Sequence, residues 1–275
     1  MPIIAQDIYQ NLELVRQRSP LVHNITNYVA MNLTANALLA VGASPVMAHA
    51  AEEVEDMVNI ASALVINIGT LSGHWVEAMF KAAHQAKKRG IPIVYDPVGA
   101  GATPYRTRTI LELIQAVPPA IVRGNASEIM ASAGSHAKTK GVDSAAATEN
   151  ALASARHISE QQDCVVCVSG ATDYIIDKTD MALIRNGHAL MPKITGLGCT
   201  ASALCAAFAA VNPDHFAATT AAMAVMGISG EIAAEKSSGP GSFSVIFLDI
   251  LFHLTGKEIE RRLKIEGSPD ADRSA

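Results

Sequence analysis

The stretch "TGLGCTA" (195–201) sets Gly196 and Gly198 on either side of Leu197 and directly before Cys199. The apolar, alanine-rich run that follows reads as a buried helix. Peptide N–H groups of Leu197, Gly198 and Cys199 would then stand free at a helix start. There the backbone dipole adds roughly half a positive charge, and an anion such as a transferring phosphoryl group is favoured. Cys199 would face the attacking hydroxyl. A free thiol titrates near about 8.5; a helix N-terminus lowers it and nearby phosphates would push it back up, so strong deprotonation in the ground state is not expected. The same letters fit a Gly-x-Gly-x-x-Ala dinucleotide fingerprint, which raises an NAD-dependent dehydrogenase as an alternative. That fingerprint should follow a buried strand, and "LMPKIT" (190–195) does not read as one. A Walker loop is absent, because Gly256-Lys257-Glu258 lacks the Ser/Thr and the upstream glycine.

Three further stretches carry chemistry at the ends of apolar runs. "IPIVY" leads into "DPVGAGAT" (96–103), where Asp96 could hold a metal-bound phosphate or simply open an Asp-Pro turn. "AIV" leads into "RGNASEI" (123–129). Asn125 and Glu128 suit a capping box, and the alternative is Glu128 organising Mg²⁺ water with Arg123 on a phosphate. "CVVCVSG" (164–170) ends at Ser169, a nucleotide contact or the start of a hairpin. Within it Cys164 and Cys167 have zinc-like spacing, but residues three apart on a strand point to opposite faces and no second pair completes a site. Histidines form no pair at helical ligand spacing, and His23 is expected to be structural. Met47 reads by periodicity as core.

These residues need strands to carry them and helices to cover the strands. Short Val/Ile runs occur at Ala63–Ile68, Ile91–Tyr95, Ala120–Val122 and Cys164–Val168, as expected for strands buried on both faces. Helical patterns fall at 51–61 and 74–90, the latter ending in basic residues and Gly90. Residues 173–186 look like a hairpin, so the sheet should be mixed. Beyond Gly198 helices are expected at about 199–211, 214–235 and 240–262. Strand–helix alternation followed by helices predicts an α/β, three-layer fold with a mostly parallel sheet, as one domain over 1–275.

Bulk properties narrow the partners. The 275 residues carry a formal charge of −5, are 49% hydrophobic and only 4% aromatic, and show no dense basic run. Neither nucleic acid nor an anionic membrane is indicated. The N-terminal residues lack the basic region of a secretory leader. The uncharged stretch between Lys193 and Asp214 is broken by glycine and proline and reads as buried helix plus loop, not a span. Four cysteines without a disulfide framework suit a reduced, cytoplasmic protein.

Taken together, "HNITNYVAMNLTANALLAVGASPVMA" (23–48), "DPVGAGATPYRT" (96–107), "RGNASEI" and "TGLGCTASAL" (195–204) resemble the ribokinase-like superfamily, and within it the hydroxyethylthiazole kinases of thiamine salvage. The resemblance covers nearly the whole chain. It implies a ribokinase-like fold and phosphorylation of the alcohol of 4-methyl-5-(2-hydroxyethyl)thiazole, with ATP as co-substrate and Mg²⁺. By position it implies that Asn27, Met47 and Gly196 line the thiazole, that Arg123 and Ser169 hold ATP, and that Asp96 and Glu128 serve the metal. Leu197, Gly198 and Cys199 would form the anion hole, with Cys199 as the catalytic residue. It also implies a homotrimer with sites between subunits. Related hydroxymethylpyrimidine and pyridoxal kinases place an Asp where this chain has Cys199, so they are the nearer alternative. The family loop usually reads Gly-Thr-Gly-Cys, and Leu197 replaces the Thr.

Overall fold

The computed structural model describes residues 3–134 and 144–269. Met1 and Pro2, at the head of the segment read above for a leader, lie outside them. The strands are β1 (Leu21–Ile25), β2 (Ser44–Val46), β3 (Ala63–Asn67), β4 (Ile93–Asp96), β5 (Ile121–Asn125), β6 (Val165–Ser169), β7 (Asp173–Ile176), β8 (Asp180–Ile184) and β9 (Ile265–Pro269). They form one nine-stranded sheet in the order β2-β1-β3-β4-β5-β6-β7-β8-β9. Strands β1 to β6 run parallel, and β7, β8 and β9 are added antiparallel. The expected mixed sheet and hairpin are therefore present. Strands β1, β2 and β9 were not anticipated: β2 has three half-buried residues and β9 is largely polar, so neither shows an apolar run.

Helices cover both faces, which gives the expected three layers. They are α1 (Ala5–Arg18), α2 (Met31–Val41), α3 (Val54–Ile60), α4 (Gly73–Arg89), α5 (Pro104–Ala116), α6 (Ala126–Ser132), α7 (Ser144–Gln162), α8 (Leu197–Ala209), α9 (His215–Lys236), α10 (Pro240–His253) and α11 (Gly256–Arg262). One apolar core lies between the sheet and α1, α2 and α8 to α11; it takes Val65, Val94, Ile121 and Cys167 from the strands. The other lies against α3 to α7 and takes Ile66, Tyr95, Val122 and Val166. Side chains on a strand alternate between faces, so Asn67, Asp96, Arg123 and Ser169, each two residues on from a member of the first set, belong to the α8 face. The same alternation parts Cys164 from Cys167, which enter different cores. All four cysteines are free thiols.

Two helix expectations are corrected. The stretch 240–262 is broken, because the Thr255 side chain caps a new helix by accepting from the Glu258 N–H. The helix expected at 199 begins two residues earlier, at Leu197, with Gly196 as its cap. Among the described residues one helix, α9, is long and apolar enough to cross a membrane, and 83% of its apolar window is buried inside the fold. It packs against α8, α10, α1 and the sheet.

Candidate active site

The carboxyl ends of the parallel strands bring the polar residues into one row. Asn67 ends β3 directly opposite Asp96 at the end of β4. Asn125 ends β5 opposite Ser169 of β6. Helix α8 starts over this row. Its cap, Gly196, has φ +90°, and a Cβ there would stand 3.2 Å from Ala30 Cα. Only glycine adopts that backbone so close to a neighbour without strain, and the first turn of α8 is thereby held against the loop after β1.

Cys199 is the third residue of α8. Its sulfur accepts hydrogen bonds from Asn27 Nδ2 at 3.0 Å and from Asn67 Nδ2 at 3.1 Å. Asn67 also donates to Asp96 Oδ2 at 2.6 Å, and Ser202 Oγ donates to the same oxygen at 2.8 Å. Burial, followed by the charge of Asp96, pushes the Cys199 thiol up to about 12, against the pull of the two amides and Arg123. The lowering that a helix start supplies is outweighed here by loss of hydration, so the raised thiol agrees with an expected lack of ground-state deprotonation while the main cause, burial, was not foreseen. Burial likewise raises the Asp96 carboxyl to about 6, with Glu128 adding to the rise and Arg123, Ser202 and Asn67 opposing it.

The anion-hole residues are only partly as expected. The N–H groups of Gly198 and Cys199 have no acceptor among the described residues. Leu197 N–H instead turns back toward Ile194 O at 3.5 Å. The Leu197 side chain is buried and forms part of a cavity wall. That cavity, of about 620 Å³, opens beside the turn and is lined also by Arg123, Ser169, Gly198, Met223 and Met226. Arg123 Nη1 donates to Gly198 O at 2.9 Å, while its buried Nε has no partner. Arg123 and Gly198 both line the cavity, and a guanidinium beside a free backbone N–H at a helix start fits a phosphate. Ser169 Oγ donates to Gly124 O on the same rim.

Glu128 does close a capping box with Asn125, and its other oxygen accepts from Gly99 N at 2.9 Å. The capping reading of the Asn-x-x-Glu stretch is thus present, and the carboxylate it holds lies close enough to Asp96 for its charge to act there. Among the described residues no group of three or more His, Cys, Asp or Glu converges as a metal cage. Two carboxylates, one of them strained upward in pKa by burial and a like charge, suit Mg²⁺ held mainly by phosphates and water. Met47 follows β2, with β1 between it and β3, and is half-buried. It is not among the residues hydrogen-bonded around Cys199. Tyr28, next in the chain to Asn27, belongs to an aromatic group: Trp75 lies 4.8 Å from Tyr28 and 4.6 Å from His49, ring centre to ring centre.

Sequence reasoning missed Asn67, Ser202 and that aromatic group. Asn67 had a legible signal, as the one polar residue closing the all-apolar strand "ALVIN" at the height of Asp96. It also missed Arg106, whose two Nη atoms donate to Val98 O and Gly69 O at 2.7 Å and tie the loops after β3 and β4 together.

The model of the hydroxyethylthiazole kinase family matches residues 12–257. The chain belongs to that family. A hydroxyethylthiazole kinase of Syntrophus aciditrophicus is 58% identical over 266 residues, covering 96% of this chain and 98% of the relative. The solved structure of a hydroxyethylthiazole kinase protein from Pyrococcus horikoshii matches with a TM-score of 0.88 at 44% identity, over 96% of this chain and 99% of that one. A ribokinase-like superfamily protein of Enterococcus faecalis shares the fold, with a TM-score of 0.64 at 13% identity over 94% of this chain and 92% of its own. The ribokinase-like fold expected from the motifs is therefore present. Family membership also removes the dehydrogenase alternative. The glycine turn follows a short 3-10 helix at Met191–Lys193, not a strand.

Proposed function

We propose that this protein transfers the γ-phosphoryl group of ATP to the hydroxyl of 4-methyl-5-(2-hydroxyethyl)thiazole. One observation carries the reading. The Cys199 sulfur, the free N–H groups of Gly198 and Cys199, and the Arg123 guanidinium, tied to Gly198 O, meet at one turn beside a cavity large enough for a nucleotide. The alcohol would sit at the sulfur and the phosphate at the N–H groups, with Arg123 and Ser169 on the nucleotide side. Asn27, Gly196 and the aromatic group of Tyr28, His49 and Trp75 would face the thiazole, with Met47 on its outer side.

In the transfer the alcohol oxygen forms a bond to γ-phosphorus as the bond to the ADP oxygen breaks. The hydroxyl proton passes to ionised Cys199 and leaves a neutral thiol. A thiolate held near 12 is scarce at neutral pH but is a strong base, and the phosphoryl transition state asks for that base only late. The amides of Gly198 and Cys199 stabilise the equatorial oxygens at no cost in reorganisation. Asp96 and Glu128 would hold Mg²⁺, Glu128 by way of water since its oxygens are taken by backbone N–H groups. The ion when bound neutralises charge on the β- and γ-phosphates.

Exposed Tyr28 and Val29 beside Asn27 support a homotrimer whose subunits complete the site at this rim. The free thiols support a reducing, cytoplasmic setting. The test is coupled ADP release with Mg²⁺ over hydroxyethylthiazole, hydroxymethylpyrimidine, pyridoxal and ribose. The expected result is turnover with the thiazole at least about tenfold above the others in kcat/KM, a difference of about 1.4 kcal/mol. Preference for the pyrimidine or pyridoxal would overturn it in favour of the nearer alternative.

A further inference from the structure

Asn67 is fully buried and every hydrogen-bonding position of its amide is used. Its Oδ1 accepts from Gly69 N at 2.9 Å and from Asn27 Nδ2 at 3.1 Å. Its Nδ2 donates to Asp96 Oδ2 at 2.6 Å and to Cys199 Sγ at 3.1 Å. The orientation of the amide follows from this count. Gly69 N–H can only donate, so Oδ1 must face it, and the two hydrogens are left for the carboxylate and the sulfur. Asn27 is oriented in the same way, because Ala30 N–H donates to its Oδ1 at 3.0 Å and turns its Nδ2 toward Asn67 and Cys199. A backbone N–H in each of two loops thus fixes an amide, and both amides fix the sulfur.

We propose that Asn67 is a positioning residue that holds the Cys199 sulfur and the Asp96 carboxylate at a set separation through the two hydrogens of one amide. This rests on the kinase reading above and extends it to a residue outside the motifs. With two N–H donors occupying lone pairs of the sulfur, its remaining valence is aimed away from them. The same amide keeps the carboxylate of the proposed metal site from turning toward the sulfur. A Cβ on Gly69 would stand 2.9 Å from Asn67 Oδ1 and from Asn27 Nδ2, so the close backbone approach at Gly69 belongs to the same device.

The test is a double-mutant cycle in thiazole phosphate formation with Asn67→Ala, Cys199→Ala and the double variant. Asn67→Ala should lower kcat about 10–100-fold, as loss of an orienting hydrogen bond does, with KM for the thiazole within about threefold. The double variant should be at least about tenfold more active than the product of the two single losses predicts, because Asn67 acts through the sulfur. Losses that simply multiply, or a raised KM at unchanged kcat, would overturn the proposal. Asn67→Asp keeps the shape while removing donors, and should show the same kcat loss should the alanine variant not fold. A wild-type enzyme that forms no thiazole phosphate overturns the kinase reading and this inference together. A wild type that forms it beside unaffected Asn67 variants overturns this inference alone.

Discussion

At the scale of residues, burial decides the chemistry. Cys199 is a neutral thiol because its desolvation outweighs two amide donors and a helix start, and Asp96 is raised by the same cause. His23 shows the same physics in a structural role. Its Nε2 donates to Ala48 O at 2.9 Å, its Nδ1 is buried without a partner, and burial lowers its pKa from 6.5. Above pH 6.5 His23 is neutral whether folded or not. As pH falls through 6.5 the unfolded chain takes up a proton that the folded chain refuses, so this contribution to stability is lost progressively on acidification. His23→Gln should therefore be less stable than wild type at pH 7.5, with the gap in Tm narrowing toward about pH 5. A gap that stays constant with pH would show that His23 is not kept neutral. The motif residues Asp96, Arg123, Glu128, Ser169 and Cys199 were legible because each closes an apolar run or opens a helix. Ser202 and Arg106 were not, because Asp96 lies 106 residues from Ser202 and Gly69 37 from Arg106; the polar end of β3 marked Asn67, but its link to Cys199, 132 residues on, exists only in the fold.

At the scale of elements, the strands place the carboxylates and the start of α8 places the thiol. The decisive join is Gly196. Any larger residue there would have to adopt φ near +90° while meeting Ala30. Gly196→Ala should cost about 1–3 kcal/mol in urea unfolding and lower kcat as well, since the first turn of α8 would shift away from the row of strand ends. Unchanged stability together with unchanged kcat would show that the cap does not set the site. The parallel strands β3 to β6 could be read because both of their faces are apolar, so Val and Ile run with little interruption, whereas His23 and Asn24 break that run in β1. The edges could not: β2 is short and half-exposed, and β9 pairs only with β8. The break between α10 and α11 was hidden because Leu254 continues the apolar pattern across it, while the stop lies in the Thr255 cap.

At the scale of the whole molecule, the sheet sorts its residues into two cores by alternation, and the active face is the one whose helices are built from small side chains. Helices α8 and α9 are buried around nearly their whole circumference, which alanine and glycine permit by letting backbones approach closely. That is why α9 is long and apolar enough to cross a membrane and yet lies buried within the fold. A rigid base of this kind lets a thiol, two amides and an arginine be held at the sheet edge with little freedom. The most direct measurement of the central claim is single-turnover formation of thiazole phosphate from ATP and Mg²⁺ by wild type and Cys199→Ala between pH 7 and 9. With the thiol near 12, the wild-type rate should rise about tenfold per pH unit, and the variant should be about 10²–10⁴-fold slower and lack that slope. A Cys199→Ala enzyme that forms the phosphate at the wild-type rate would contradict the account.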